Sequence, residues 1–449
     1  MNTQLLYPDL LTLQSAREHA FAQMMDLVFQ RHPHYRDLLA RQGLQRGDFN
    51  SPDDLSKLPL THKADYMAAP ERFVLESEGL PLEMRTVWDT MYTTGSTSGK
   101  PTPFVSTSYD FFNTLALQRN MLQLRGVNPH DVIANLFPLT QVPHGAWIRV
   151  LHAAASMNVS VFCAMPGNPS EFFNLGNGLD RVVELIAAQR ASVLWGVPSY
   201  IYRVLLRAAE LKSDFSAVRL LFVTGEALGE GAREAMQQTL HSTGAAHAHI
   251  SISYGATEMQ GGMVECVPGS GYHNPLPGQL LIEVVDPKTE KPVADGQPGL
   301  VTLTHLQRRG TVLLRYALGD VSVLTHEPCP HCGAVTDRLI QVPRRVDAMV
   351  KIKGMLVNPG VVIQALDGLL GALPYQLRVR SADAIHPLAG DVLELQVEET
   401  DAQARRVALA QCVKEACGVT PQVVFVAPGA LMATDASWKS KKFADLRAH

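Results

Sequence analysis

Between Asp131 and Glu258, short apolar runs alternate with amphipathic runs in a pattern that few folds accommodate. Val132 to Phe137, Val159 to Cys163, Ser192 to Trp195, Arg219 to Val223 and His249 to Ile252 read as strands, and the stretches near 145–157, 178–190, 199–211 and 229–242 read as helices. Such strand–helix alternation implies an α/β fold, a parallel sheet with helices on both faces. The segments that leave these strands are small, polar or glycine-containing: PLT after Phe137, VPS after Gly196, TGEA after Val223 and SYGATE beyond Ile252. The carboxyl ends of parallel strands are where such sheets hold ligands.

The flanks have other textures. Leu10, Leu11, Leu13, Phe21, Met24, Met25, Leu27 and Val28 recur at helical spacing and predict a helical packing layer over the first 75 residues. From Gln279 to Leu324 the pattern turns β-rich, in QLLIEVV, GLVTLTH and TVLLRY. The last 105 residues or so read as a small β-α-β-β-α-β unit, with strands at 349–352, 376–379, 392–397 and 422–426. Its first helix has Asn358 as N-cap and Pro359 at the first position. A boundary between Arg344 and Asp347 gives a large domain, 1–343, and a small one, 344–449. That division suits 449 residues at roughly 150 per domain equivalent.

Composition removes several classes of function. A net charge of −4, with 46% hydrophobic and 18% charged residues, provides no basic field for nucleic acid or an anionic membrane. The first twenty residues carry Asp9 and no cationic segment ahead of an apolar run, so no secretory signal is expected. Arg149 and His152 interrupt the most apolar long stretch, Ala146 to Met165, which argues against a membrane span. Six cysteines are too few for a disulfide scaffold, so the expectation is a reduced cytoplasmic protein.

The sharpest local motif is Thr93-Thr94-Gly95-Ser96-Thr97-Ser98-Gly99-Lys100-Pro101-Thr102. Glycines and small hydroxyl residues let backbone N–H groups close around phosphate oxygens, and a lysine adds charge. The P-loop of nucleotide hydrolases needs four residues between its glycines and Ser or Thr after the lysine; here three intervene and Pro101 follows. A Gly/Ser surface loop is the alternative. Three further segments follow in order: Ser253-Tyr254-Gly255-Ala256-Thr257-Glu258, Arg315-Tyr316-Ala317-Leu318-Gly319-Asp320, and the run from Arg345 through Asp347 and Lys353 to Gly354. Together the four resemble the motifs of the adenylate-forming superfamily of acyl-CoA synthetases and nonribosomal adenylation enzymes. The short N-terminus, the Asn358-Pro359 step and the cysteines are most similar to its phenylacetate-CoA ligase-like branch.

The resemblance implies a large adenylate-forming domain with a parallel-sheet core and a β-rich subdomain, followed by a small mobile α+β domain. It also implies roles. Thr94, Gly95, Ser96, Thr97, Ser98, Gly99 and Lys100 would wrap the β- and γ-phosphates of ATP, and Glu258 would hold Mg²⁺, a hard cation suited to carboxylate and phosphate oxygens. Thr257 would hydrogen-bond the α-phosphate, with Ser253, Tyr254, Gly255 and Ala256 lining the nucleotide. Asp320, an acceptor-only group, would receive both ribose hydroxyls. Arg345 and Lys353 would join the nucleotide site, and Gly225, Glu226 and Ala227 would lie near adenine. Competing readings make Asp320 and Arg315 a surface ion pair and Glu226 a charge at a helix N-terminus. The hinge would fall at Asp347. In the tail, Trp438-Lys439-Ser440-Lys441-Lys442 resembles the terminal Gly-Lys-x-x-Arg segment, which makes Lys439 the catalytic lysine and Lys441 the second choice.

Cys329-Pro330-His331-Cys332 is a C-x-x-C knuckle, and Cys266 with His273 lies upstream. Three thiolates and an imidazole suit a closed tetrahedral structural Zn²⁺ site, with His326 and His331 competing with His273 as fourth ligand. Cys163, Cys412 and Cys417 sit in apolar patterns and are expected in the core. For the acid substrate, the strand-end turns offer His144, Trp147, Trp195 and Tyr254; either tryptophan alone could equally be core. The segment 136–144 has no Asp to bind an ammonium group, which favours an acid without an α-amino group, with aromatic acids among the candidates. The expected activity is AMP-forming activation of a carboxylic acid followed by transfer to CoA. The alternatives are delivery to the phosphopantetheine of a separate acyl carrier protein, and a non-catalytic nucleotide-binding protein.

Overall fold

Each helix of the expected alternating series forms, because its apolar positions recur on one side. Gly145–Met157, Leu179–Ala188, Pro198–Glu210 and Glu230–Ser242 are helices, and Pro198 supplies the first-turn proline that has no N–H to leave unsatisfied. The strands are Val132–Asn135, Ser160–Cys163, Val193–Gly196, Leu220–Val223 and His249–Ala256. The structure is a computed structural model that describes residues 7–92, 102–139, 145–167, 176–225, 228, 230–345, 350–352, 355–371, 373–381, 391–399, 403–431 and 442–447.

The chain divides into two compact units. The first comprises Met1–Ile133, Val142–Val161 and Ser251–Arg344; the second comprises Ala134–Gln141, Phe162–Ile250 and Arg345–His449. In the first unit the helix Leu10–Arg31, capped by the Asp9 carboxylate on the Thr12 N–H, buries Leu13, Phe21, Met24, Met25 and Val28 as a packing layer should. Its β-rich part is antiparallel: Leu280–Val285 pairs with Pro298–His305, and that strand with Tyr316–Thr325. A two-stranded hairpin, Val87–Tyr92 with Pro103–Thr107, brackets residues 93–102.

The segment TVLLRY departs from expectation, since only Tyr316 joins a strand. Arg315 adopts φ 46°, which breaks an extended run, and its neighbours send their backbone groups elsewhere. Val312 N–H donates to the Phe73 carbonyl, Leu314 N–H to the Tyr35 hydroxyl and Arg315 N–H to the Thr304 hydroxyl.

In the second unit Val193–Gly196 and Leu220–Val223 pair in parallel, as the alternation requires. Its C-terminal part carries a core of its own, with Ile352, Leu366, Leu377, Leu395, Leu409 and Val413 buried together. The expected order of that part is altered at both ends. Among the described residues Val350–Ile352 pairs only with Met355–Val357, and the fourth strand of the sheet comes instead from the tail: Phe443–Asp445 lies parallel to Tyr375–Ser381. Three residues of FAD alternation are too short a signal to read as a strand. Asn358 does cap the helix Pro359–Leu370, its side chain accepting from Gly360 N–H at 2.9 Å. No helix among the described residues is long and apolar enough to cross a membrane.

Candidate active site

The strand His249–Ala256 ends in a single tight turn, Thr257–Met259, and the chain returns antiparallel along Gly261–Val264. Glycine is obligatory here for steric reasons. A Cβ on Gly255 would lie 2.4 Å from the Gly261 carbonyl oxygen, and one on Gly262 would lie 2.8 Å from the Tyr254 carbonyl oxygen. The close approach buries Glu258. Its Oε1 accepts from the Tyr316 hydroxyl at 2.9 Å, and its backbone carbonyl accepts from His305 Nε2 at 2.9 Å. His305 Nδ1 in turn accepts from the Leu313 N–H at 3.0 Å, so the ring proton sits on Nε2. Burial, with a smaller push from Arg308, lowers the His305 pKa to about 3, so this neutral tautomer persists at ordinary pH. A carboxylate has about four lone-pair directions, so the Tyr316 bond leaves Glu258 able to accept a hard cation.

Tyr316 and Asp320 share the strand Tyr316–Thr325, with Gly319 between them at φ 79°. Asp320 Oδ2 accepts from the Tyr254 hydroxyl at 2.7 Å. The two sequence motifs are therefore linked twice, by Tyr254–Asp320 and by Tyr316–Glu258. Strand alternation sends Ser253 to the opposite side, where its hydroxyl bonds the buried Arg125 guanidinium. Arg315 is no surface partner of Asp320. It is 1% exposed, its guanidinium donates to the carbonyls of Leu58 and Glu290, and it lies 3.8 Å from Glu283.

Gly255 and Ala256 complete the strand end, and Gly225 occupies a bend at φ 88° just after Leu220–Val223. Arg345 is exposed in the short strand Arg344–Arg345. Trp195 is 4% exposed and packs edge-on against Phe222, with ring centroids 5.4 Å apart, while Trp147 is half-buried in Gly145–Met157. Thr94 to Lys100, His144, Glu226, Ala227, Asp347, Lys353, Lys439 and Lys441 lie outside the described residues. Tyr316 and His305 had no assigned role from the sequence. Tyr316 lies inside the Arg315–Asp320 motif, which is a signal for it; His305, at the end of an apolar strand, carries none.

Cys266, His273, Cys329 and Cys332 bring their ligand atoms within 4.8 Å of one another. Tetrahedral bonds of about 2.3 Å to sulfur and about 2.0 Å to nitrogen put two sulfurs about 3.8 Å apart and sulfur and nitrogen about 3.5 Å apart. The separations here are 3.9 Å for Cys266 Sγ to Cys329 Sγ and 3.5 Å for Cys332 Sγ to His273 Nε2. His273 Nδ1 lies 3.0 Å from the Val264 carbonyl, to which it can donate, leaving the Nε2 lone pair for a metal. His326 instead meets Asp295 at 2.7 Å. The donor set and its spacing fit a closed tetrahedral ion.

Residues 45–306, more than half of the chain, match the family model described as AMP-binding enzyme. The sequence is 26% identical to a phenylacetate-coenzyme A ligase of Thermus thermophilus, with 97% of each chain covered. It is 23% identical to that of Escherichia coli, covering 97% of this chain and 95% of the relative. A crystal structure of 2-hydroxyisobutyryl-CoA ligase in the postadenylation state superposes with a TM-score of 0.76 over 96% of this chain and 89% of that one, at 22% identity, which establishes the common fold. The doubly linked motif strands thus stand in a chain that belongs to the AMP-binding enzyme family and has the fold of the adenylate-forming superfamily.

Proposed function

We propose that the protein is an AMP-forming acid–thiol ligase: it joins a carboxylic acid to AMP, releasing pyrophosphate, and then transfers the acyl group to the sulfur of CoA, releasing AMP. The observation that carries this reading is the pair of hydrogen bonds Tyr254–Asp320 and Tyr316–Glu258. They hold two acidic side chains at fixed positions in a chain that aligns end to end with phenylacetate-coenzyme A ligases.

In the first step a carboxylate oxygen of the acid attacks the α-phosphorus. The Thr257 hydroxyl hydrogen-bonds an α-phosphate oxygen, Asp320 accepts from the ribose hydroxyls, and Thr94 to Lys100 surround the outer phosphates. Bound Mg²⁺, held by Glu258, would supply charge neutralisation on the phosphates. Lys439, on a mobile domain 344–449 hinged at Asp347, contributes a cation beside the carboxylate and α-phosphate. The names of the full-length relatives favour CoA over a carrier protein as acceptor, and an aromatic acid among substrates. A structural Zn²⁺ on Cys266, His273, Cys329 and Cys332 completes the reading; with all four positions filled by protein it tethers the Cys329–Cys332 knuckle and takes no part in the reaction.

Pyrophosphate exchange over a panel of aryl and alkyl acids, followed by CoA addition to the active ones, tests this. Exchange with at least one acid and a CoA thioester product are expected. ATP binding without exchange on any acid would reject the enzyme reading, and exchange without CoA acceptance would point to a carrier protein.

A further inference from the structure

The helix Gly145–Met157 carries one arginine, and it is buried: the Arg149 side chain is 8% exposed. A guanidinium taken out of water is costly unless its donors are met. Three side chains meet it. Gln260 Oε1 accepts at 2.5 Å, His152 Nδ1 at 3.0 Å and Asp89 Oδ2 at 3.3 Å. His152 accepts only as a neutral ring. Burial and then the nearby Arg149 lower its pKa to about 4, so it remains an acceptor at neutral pH.

The partners on either side of Arg149 belong to two different parts of the site. Asp89 lies on the strand Val87–Tyr92, which runs straight into the Gly/Ser/Thr segment beginning at Thr93. Gln260 ends the Thr257–Met259 turn. It holds φ 55°, a left-handed conformation that non-glycine residues seldom adopt. Its amide explains why glutamine is nevertheless placed there. Nε2 donates to the Thr257 carbonyl at 2.7 Å while Oε1 accepts from Arg149, and the Gln260 backbone carbonyl accepts from Gln118 Nε2 at 3.2 Å. One side chain therefore transmits the position of Arg149 to the backbone of Thr257.

We infer that Arg149 is a positioning residue for acyl-adenylate formation: through Asp89 and Gln260 it holds the strand feeding the phosphate loop in register with the Thr257–Glu258 turn. This rests on the roles proposed for that loop and turn. Arg149 touches no reacting atom. Pyrophosphate and its cation have left before the thiol attacks, so the register matters to the first half-reaction far more than to the second.

Gln260→Gly is the decisive variant, because glycine accepts φ 55° without strain while the buried side chain that links Arg149 to Thr257 is removed. Arg149→Lys keeps a charge but loses the planar fork that reaches three acceptors. Each should lower the turnover of pyrophosphate exchange by on the order of 10- to 100-fold, the scale of a misplacement of about 1 Å, with the KM for ATP changed by less than about threefold. Thioester formation from supplied acyl-adenylate should stay within about threefold of wild type, and the double variant should be little worse than the poorer single. Wild-type exchange by folded Gln260→Gly, or equal loss in both half-reactions, would overturn the inference. Absence of exchange in the wild-type protein on every acid would overturn the proposed function itself, and this inference with it.

Discussion

Tyr316→Phe removes one oxygen atom and leaves a ring that still packs edge-on against Tyr66, with centroids 6.3 Å apart. Both Tyr316 and Glu258 are buried, at 2% and 7% exposure, so solvent cannot readily replace the lost donor. A hydrogen bond to a charged group contributes about 1.5–3 kcal/mol. The lower end corresponds to roughly tenfold in a binding constant. Without the phenol the Glu258 carboxylate is free to turn away from the orientation in which it would meet a cation. The expected result is a rise of about tenfold in the Mg²⁺ concentration for half-maximal pyrophosphate exchange, with the maximal rate recovered at high Mg²⁺. Thermal unfolding should shift down by a few degrees at most, since the ring and its packing persist. Exchange measured over a Mg²⁺ series, on protein checked by near-ultraviolet circular dichroism, decides the matter. An unchanged Mg²⁺ dependence would refute the view that Tyr316 orients Glu258 toward a cation.

Elemental analysis should find about one zinc per chain; Cys329→Ser or Cys332→Ser should lose it together with thermal stability, and stoichiometric metal in the double variant would remove the assignment. His305 and His32 both have folded pKa values lowered from 6.5 to about 3, by burial first. The unfolded chain therefore binds more protons, and stability present above pH 6.5 should drain away as pH falls from there towards 3. His305→Gln should flatten that slope in a series of urea melts, and an equal slope in the variant would contradict the neutral buried ring. Lys439→Ala should reduce acyl-adenylate formation by on the order of 100-fold while sparing thioester formation from supplied acyl-adenylate. Loss in Lys441→Ala instead would move the lysine by two positions.

The alternating segment 131–258 was legible because its strands and helices each carry their own period, and the helix Pro359–Leu370 because Asn358 and Pro359 mark its start. The cluster of Cys266, His273, Cys329 and Cys332 was legible for a similar reason, since Cys and His bring ligand chemistry wherever they stand, and the structure brings His273 rather than His326 to the three cysteines. What sequence left hidden depends on long-range pairing. Arg315 reads as a surface charge until its guanidinium is found on the carbonyls of Leu58 and Glu290. The strand Phe443–Asp445 exists only because Tyr375–Ser381 offers it an edge. His305 and Gln260 gave no local signal and Arg149 stood out only as a charge in an apolar stretch, because each acts on a backbone or side chain more than 40 residues away in sequence.

Pyrophosphate exchange by Glu258→Gln, compared with wild type on an acid that the wild-type protein accepts, tests the central assignment most directly. The substitution keeps the shape and an acceptor for the Tyr316 hydroxyl but removes the charge proposed to hold Mg²⁺ against the phosphates. A folded variant whose exchange has fallen to background is the expected result. Exchange near the wild-type rate in a folded Glu258→Gln protein would contradict it.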